Sequence, residues 1–460
     1  METHSSRMAA FAADLRYDRI SPEAVSAARR FFLDSVGCAV GGLDTPDVRA
    51  MRRVIEARGG NAEATILGST GKTSTTGAAL LNALMIRVLD FNDIYWEQDP
   101  SHPSDLIPAA LGPGEATGKN GRDLVTAIVL GYEFECRLCE AAIPGIRERG
   151  WHHASLTQFV SPLVAGKMMD LTAEQMAHAV GISGCHAHTL GSVTAGHLTM
   201  MKNTVDPMAV EAGVLAGHLA GVGYTGPAEI FEGKEGVEQC YGPRWSWEVL
   251  TEGLGESWRV TRCSMKAYPT EALTHSPISA ALTLAREEEV TADQIEEVHV
   301  ESISRAADIL SDPSKYRVTS KESADHSLPY CLAVGLADGR ITPASFEERR
   351  FTDPALVDLM QRVRVTARED FERAFPEKKP ARVVLSLKDG RQVEKQVDFP
   401  KGDPRNPMTD EELEEKFRGL TEKHYSKRKQ DDVIRGIRSL EEAESVGEIM
   451  ALLAVDSGGE

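Results

Sequence analysis

The sequence predicts a mostly α protein in which one α+β segment interrupts an otherwise helical chain. Three observations carry that prediction. Apolar residues recur at helical spacing through most of residues 1–260, as in Val25, Ala28, Phe31, Phe32 and Val36. Between 261 and 404 the pattern turns to alternation, clearest in Ile295-Glu296-Glu297-Val298-His299-Val300-Glu301-Ser302-Ile303. From Thr409 the helical pattern returns. The simplest organisation is an all-α domain of residues 1–260 and 405–460, with an α+β domain of residues 261–404 inserted. A chain of 460 residues also exceeds the size at which one core stops growing.

The elements follow in order. Ser21-Pro22-Glu23 opens a helix with an N-cap serine, a first-turn proline and an acid at the positive end of the dipole. A helix over 46–58 is stopped by Gly59-Gly60, 64–68 is extended, and helix resumes near Thr75. Residues 121–169 read as helix broken at Pro144-Gly145 and Gly150. Helices are expected over 172–180 and 206–219, separated by a loop rich in His, Ser, Thr and Gly. Residues 260–269 read as a strand and then a turn, and 276–287 as a helix. Residues 325–338 and 354–362 are helical and 363–366 strand-like. Residues 381–397 form a hairpin around Asp389-Gly390, a pair that favours a type I′ turn. Thr409-Asp410-Glu411-Glu412 is a capping box, and 456–460 are expected to fray.

Composition bounds the function. Hydrophobic content of 42% and charged content of 26% are ordinary for a globular protein. A net charge of -19 argues against nucleic-acid and anionic-membrane partners. It leaves room for a small anion in a local cationic pocket. The N-terminus carries no apolar signal region and no apolar run reaches a membrane span. Seven cysteines, an odd number scattered along the chain, suit reduced thiols, so a cytoplasmic protein is expected. Cys136 and Cys139 form a lone C-x-x-C inside a helical pattern, without a second pair to complete a zinc site.

The stretch from Leu89 to Asp105 concentrates Asp90, Asp93, Asp99, Asp105, Glu97 and His102 among Leu89, Phe91, Tyr95 and Trp96. Acids and a histidine in a half-apolar setting are what proton transfer needs, because burial and neighbouring charge tune their pKa values. The alternative is a helix end whose aspartates cap and whose aromatics fill core. Lys202 and Lys266 sit among small and apolar residues at element boundaries. They are either solvent-facing or a clamp for carboxylates, with Arg262 alternating with Lys266 along the expected strand. His275, after the Tyr268-Pro269 turn, starts the next helix.

Other chemistries lack their signatures. Thirteen histidines include no H-E-x-x-H. His186 and His188 could ligate with His197 or His152, but the spacing matches no known metal site, and no metal is expected. Gly71-Lys72-Thr73 lacks the first glycine of a phosphate-binding loop. There is no G-x-G-x-x-G after a strand and no G-x-S-x-G.

Taken together, several blocks resemble the MmgE/PrpD family, which includes 2-methylcitrate dehydratase, cis-aconitate decarboxylase and iminodisuccinate epimerase. These are Phe32-Leu33-Asp34-Ser35-Val36-Gly37-Cys38-Ala39, and Asn82-Ala83 with Leu89-Asp90-Phe91-Asn92-Asp93 and His102-Pro103-Ser104-Asp105. Lys202, Lys266 with Tyr268-Pro269-Thr270-Glu271, and Asp325-His326-Ser327-Leu328-Pro329-Tyr330 follow. Asp403-Pro404 to Pro407, Asp410-Glu411-Glu412-Leu413 and Lys416-Phe417 complete the set, so the resemblance spans almost the whole chain. It implies a large all-α domain with a smaller α+β lid, a homodimer, a site between the domains, and neither metal nor organic cofactor. By position, Asp90, His102, Lys202 and Lys266 match the family's catalytic and carboxylate-binding residues, and His152 matches a histidine some branches place in the site. Asp93, Arg262, Tyr268 and His275 join them as substrate-binding candidates. The implied activity is cofactor-independent lysis of a small di- or tricarboxylate. The Asp90-to-His102 interval resembles the dehydratase branch; decarboxylation and epimerisation are the alternatives, and a helical binding module without activity is the alternative from another class. Ile94 stands where a threonine is common, and the Glu271-to-His275 interval and His153 depart from the dehydratase pattern.

Overall fold

The computed structural model describes residues 2–186, 188–195, 198–242 and 244–455. The chain is mostly α, as the periodicity predicts. It divides into two compact units, one of residues 1–196, 200–263 and 409–460, the other of residues 197–199 and 264–408. No helix among the described residues is long and apolar enough to cross a membrane.

The first unit is built on the helix Met201–Gly221, which packs against Thr75–Arg87, Ala154–Met168 and Ala173–Ser183. Close approach is bought with small residues. A Cβ on Gly213 would lie 1.9 Å from Ser161 Oγ, so only glycine lets the Met201–Gly221 and Ala154–Met168 helices meet there. Ser161 Oγ itself donates to Ala209 O at 3.0 Å across that contact. The Met201–Gly221 helix starts five residues earlier than 206, so Lys202 belongs to its first turn. Met200 at its N-cap offers no side-chain cap to mark that start, and Pro207, the seventh residue, costs the helix one internal N–H bond. Cys136 and Cys139 lie on the continuous helix Gly121–Ala141, and none of the seven cysteines is in a disulfide. The helix Asp410–Thr421, capped by its expected Thr409–Glu412 box, packs on Pro22–Gly42. Its Lys416 binds Asp34 Oδ1 at 2.6 Å and Phe91 O at 2.7 Å, so the chain's last helices fasten the start of the acidic stretch.

The second unit carries a four-stranded sheet in the order Val363–Ala367, Ile295–Ser302, Ala381–Leu387, Gln392–Val397. The first pair is parallel, the others antiparallel. Val298 and Val300, on one side of the pleat, are fully buried, and the helix His275–Glu287 packs on the last two strands. Three expectations are corrected here. The Asp389-Gly390 turn is not type I′, which needs positive φ at both central residues; only Gly390 has it, at +89°. Gly390 N instead donates to Leu387 O, and Leu387 N to Arg391 O, a three-residue loop with glycine in the left-handed position. The helix over 325–338 is two helices, Lys321–Asp325 and Leu328–Asp338, because Ser327 caps the second by accepting from Tyr330 N and Pro329 cannot continue the first. Finally, 260–269 is a 3-10 turn, Arg259–Arg262, followed by a strand of only Ser264–Met265. The tail 456–460 and His197 lie outside the described residues.

Candidate active site

The acidic stretch is almost wholly buried, and its backbone explains how. The helix Thr75–Arg87 ends, and Asp90 N donates to Arg87 O at 3.0 Å. Asp90 adopts φ +51°, a left-handed conformation uncommon for a non-glycine residue and costing on the order of 1 kcal/mol. Its carboxylate is held from both sides. Arg87 Nη1 donates to Oδ1 at 2.7 Å, and Lys202 Nζ lies 3.0 Å from Oδ2. Lys202 is 2% exposed, so the solvent-facing reading fails. A buried ammonium in the first turn of a helix faces the positive end of the dipole as well as desolvation, and Asp90 offsets both. Arg87 also lies 3.6 Å from Asp105 Oδ2 through Nε. Burial alone would lower its pKa, but Asp90, Asp105 and Asp206 raise it further, so it is a permanent cation.

Strand Asp93–Trp96 then pairs antiparallel with Pro100–Ser101, Tyr95 opposite Ser101, and this hairpin returns the chain so that His102 meets Asp93. His102 Nδ1 lies 2.6 Å from Asp93 O. A carbonyl can only accept, so Nδ1 carries the hydrogen and, in the neutral ring, the lone pair is on Nε2. The Asp93 side chain, expected to bind substrate, is bonded within the protein. It is fully buried and takes Ser104 N at 3.0 Å and Ser104 Oγ at 2.6 Å. Burial pushes its pKa up to about 6, against the pull of the Ser104 bonds. Asn92 ties this turn to Asp105, donating to Ser104 Oγ at 2.9 Å and to Asp105 Oδ1 at 3.0 Å.

The third wall is the start of the Ala154–Met168 helix. His152 is 4% exposed, and its Nδ1 accepts from Ala154 N at 3.2 Å, one of the helix's otherwise orphaned N–H groups. Burial, followed by the proximity of His153, holds the His152 pKa well below its ordinary value. A neutral imidazole that accepts at Nδ1 carries its hydrogen on Nε2. With both rings neutral, His102 and His152 hold opposite tautomers, a lone pair on one Nε2 and a hydrogen on the other. The His153 ring lies beside both, its centroid 3.9 Å from His152 and 5.6 Å from His102. His153 Nε2 is 3.4 Å from Asp206 Oδ1, and Asp206 lies one turn beyond Lys202 on the same helix face.

His152, His153 and Asp206 bring ligand-type atoms within 4.8 Å of one another. His152 spends its Nδ1 lone pair on Ala154 N, and His153 Nε2 lies 3.4 Å from Asp206 Oδ1. Glu135 adjoins the same region. Ser101 Oγ and Thr157 Oγ1 donate to its Oε1 at 2.5 and 2.8 Å, and burial pushes its pKa up to about 7.

Arg262, expected as a carboxylate clamp, pairs with carboxylates of the protein itself. It lies on the 3-10 turn, with its fork filled by Glu140 at 3.1 Å and Glu97 at 3.2 Å. The second unit gathers Lys266, Tyr268 and His275 around one peptide. Lys266 is 2% exposed and donates from Nζ to Thr270 O at 2.9 Å; His275 Nε2 lies 3.4 Å from the same oxygen. The Tyr268 and His275 rings meet edge to face, 5.3 Å apart.

Sequence comparison gives the chain's family. The signature of the MmgE/PrpD N-terminal domain matches residues 6–250, and that of the MmgE/PrpD C-terminal domain matches 268–442. The chain belongs to the MmgE/PrpD family. Among curated MmgE/PrpD relatives, a cis-aconitate decarboxylase-like protein, oryM, of Aspergillus oryzae is 25% identical, over 96% of this chain and 95% of its own length. The cis-aconitate decarboxylase of Homo sapiens is 24% identical over 95% and 92% respectively. The 2-methylcitrate dehydratase of Escherichia coli K12 is 23% identical over 91% and 90%. Both named activities are lyase activities, and at this distance the two are equally compatible with the chain. Arg87, Asp105 and Asp206 were not singled out from sequence as site residues. The signals were there, in Arg87 three residues before Asp90 and Asp206 four after Lys202.

Proposed function

We propose that this protein is a cofactor-independent lyase that removes water from a small hydroxy di- or tricarboxylate, in the manner of a 2-methylcitrate dehydratase. The observation that carries the reading is the opposite protonation of His102 and His152. Elimination of water needs a base for the proton α to a carboxylate and an acid for the departing hydroxyl. His102 Nε2 supplies the lone pair, and His152 Nε2–H supplies the hydrogen bond to the leaving oxygen. Asp90, locked between Arg87 and Lys202, is the fixed counter-charge that orients the lysine rather than a proton carrier. Lys202 stabilises the charge that develops on the substrate carboxylate as the proton leaves. Lys266 is assigned to carboxylate binding on its match to the family block.

Decarboxylation is the second reading, favoured by the names of the relatives at 24 and 25% identity. It requires an acid to protonate the carbanion but no base, which leaves the His102 lone pair without a task. A panel of citrate-like hydroxy acids and cis-aconitate, followed by mass spectrometry, separates the two. Loss of water from a hydroxy acid supports dehydration. Loss of carbon dioxide from cis-aconitate, with no hydroxy acid turned over, rejects it.

The expected partner is a second copy of the chain, and the reaction belongs to the cytoplasm. Support for self-association comes from Met201, Met208, Leu215 and Val222, which recur every seventh residue and are 44%, 48%, 41% and 84% exposed. Light scattering of Leu215→Glu beside the parent reads the oligomeric state directly; a parent that runs as a monomer ends this assignment.

A further inference from the structure

His102 and His152 stand on different walls of the site. His102 follows the strand Pro100–Ser101, and His152 precedes the helix Ala154–Met168. The bonds to Asp93 O and Ala154 N orient each ring within its own wall and leave the separation of the two rings unset. Glu135 connects the walls. Its Oε1 accepts from Ser101 Oγ at 2.5 Å, in the residue before His102, and from Thr157 Oγ1 at 2.8 Å, one turn after His153. Glu135 belongs to the helix Gly121–Ala141, against which the Ala154–Met168 helix packs. One turn further along, Cys139 O accepts from Asp99 N at 3.1 Å, so the same helix also holds the hairpin that carries Ser101.

We propose that Glu135 is a positioning residue, which sets the spacing of the His102 and His152 imidazoles by holding Ser101 and Thr157 on one oxygen. The inference rests on the reading of those imidazoles as base and acid. Elimination removes a proton and a hydroxyl from adjacent carbons, so the two rings must reach neighbouring atoms of one substrate. An error of about 1 Å in such a placement costs on the order of 10²-fold in rate. Filling the core does not account for Glu135. It is fully buried, and leucine would occupy similar space without desolvating a carboxyl. Burial pushes its pKa up to about 7, against the pull of the two hydroxyls. The bridge holds on either side of that pH. Glu135 Oε2 makes no hydrogen bond among the described residues, and a hydrogen carried there leaves both lone pairs of Oε1 to the hydroxyls. Glutamine keeps a carbonyl oxygen in that place, whereas leucine removes it.

Steady-state kinetics of the intact protein with 2-methylcitrate, beside crystal structures of the parent and its variants, test the bridge. Thr157→Val, which is nearly isosteric, and Ser101→Ala each cut one link, and kcat should fall roughly tenfold in each with KM little changed. Because either cut opens the bridge, the double variant should fall no further than the slower single variant. Glu135→Leu should lower kcat roughly 10- to 100-fold, while Glu135→Gln should keep it within about threefold of the parent. A residue that only stabilised the fold would lower the thermal transition and leave the kcat of the folded fraction alone. Parent-like kcat in Thr157→Val overturns the proposal, and this can be read even if Glu135→Leu fails to fold. Losses that multiply in the double variant overturn it too, as does Glu135→Gln as slow as Glu135→Leu. If 2-methylcitrate is not turned over, the crystal structure of Thr157→Val still decides. The separation of the His102 and His152 rings should change by about 0.5 Å or more, and an unchanged separation overturns the bridge. A changed separation in a protein that turns over none of the panel acids would refute the proposed activity and leave the bridge standing.

Discussion

Two buried ionic networks lie in the helical unit, and they are built to opposite ends. In one, Arg137 is fully buried on the Gly121–Ala141 helix and donates from Nε to Glu133 Oε1 at 2.6 Å, with Nη1 reaching both Val249 O and Glu252 O. Arg259 bridges Glu133 and Glu140, and Tyr95 donates to Glu140. Each cation there meets a carboxylate, and the network ties the Arg259–Arg262 turn to the helix. In the other, around Asp90 and His102, the cations Arg87 and Lys202 are equally fixed, but they are surrounded by groups whose protons are within reach of neutral pH. Asp93 titrates near 6 and Glu135 near 7. Two histidines hold complementary tautomers. Both networks pay desolvation. Only the second keeps protons that can move, and that difference, more than the number of buried charges, marks a reaction site.

The contrast can be broken from either side. The largest effect should come from His102→Ala, which removes the lone pair from the titratable network. Turnover should fall on the order of 10²- to 10⁴-fold with the thermal transition nearly unchanged. Near-normal turnover would return the acidic stretch to a structural role. The mirror experiment is Arg137→Met, which should lower stability by about 3 kcal/mol or more, because Glu133 loses its closest cation and two carbonyls lose their donor. The folded fraction should keep its kcat; a collapse of kcat at full stability would merge the two networks.

Glu135→Gln sharpens the comparison by pH. The folded-state pKa of Glu135, about 7, lies above its ordinary 4.5. Folding therefore favours the protonated form. That contribution is complete below 4.5 and is lost as pH rises through 7. Glutamine imitates the protonated acid at every pH, so the variant should be more stable than the parent at pH 8, by at most about 3 kcal/mol, and the gap should close by pH 4.5. Denaturant unfolding at several pH values reads this. The smallest effect should follow Arg262→Ala. Its side chain is about half exposed, and its two glutamate pairs should contribute no more than about 1 kcal/mol.

Much of the fold could be read from pattern. The helix Pro46–Arg58, the hairpin strands Ala381–Leu387 and Gln392–Val397, and the Thr409 capping box follow from caps, turn residues and periodicity, which are local signals. Misreadings arose where a local signal was ambiguous. The Met201–Gly221 helix starts without a side-chain cap, and Asp389-Gly390 fits both a two-residue type I′ loop and the three-residue loop that forms. The site was legible in its residue types but not in their roles. Asp93 and Arg262 are the right chemistry in the right segments, yet Ser104 and two glutamates consume their hydrogen-bonding capacity. Conversely, Asp206 has only its helical spacing from Lys202 as a local signal; its meaning depends on a helix that brings it against His153. Which nitrogen of His102 or His152 holds the hydrogen is decided by a carbonyl nine residues back and an N–H two residues on, information that only folded geometry contains.

The assignment of acid and base is open to direct observation. Side-chain nitrogen NMR at neutral pH, with His102 and His152 assigned through His102→Gln and His152→Gln, reports which ring nitrogen of each is protonated. Opposite tautomers are predicted, Nδ1–H on His102 and Nε2–H on His152. The same tautomer on both rings, or a doubly protonated His152, would contradict the account.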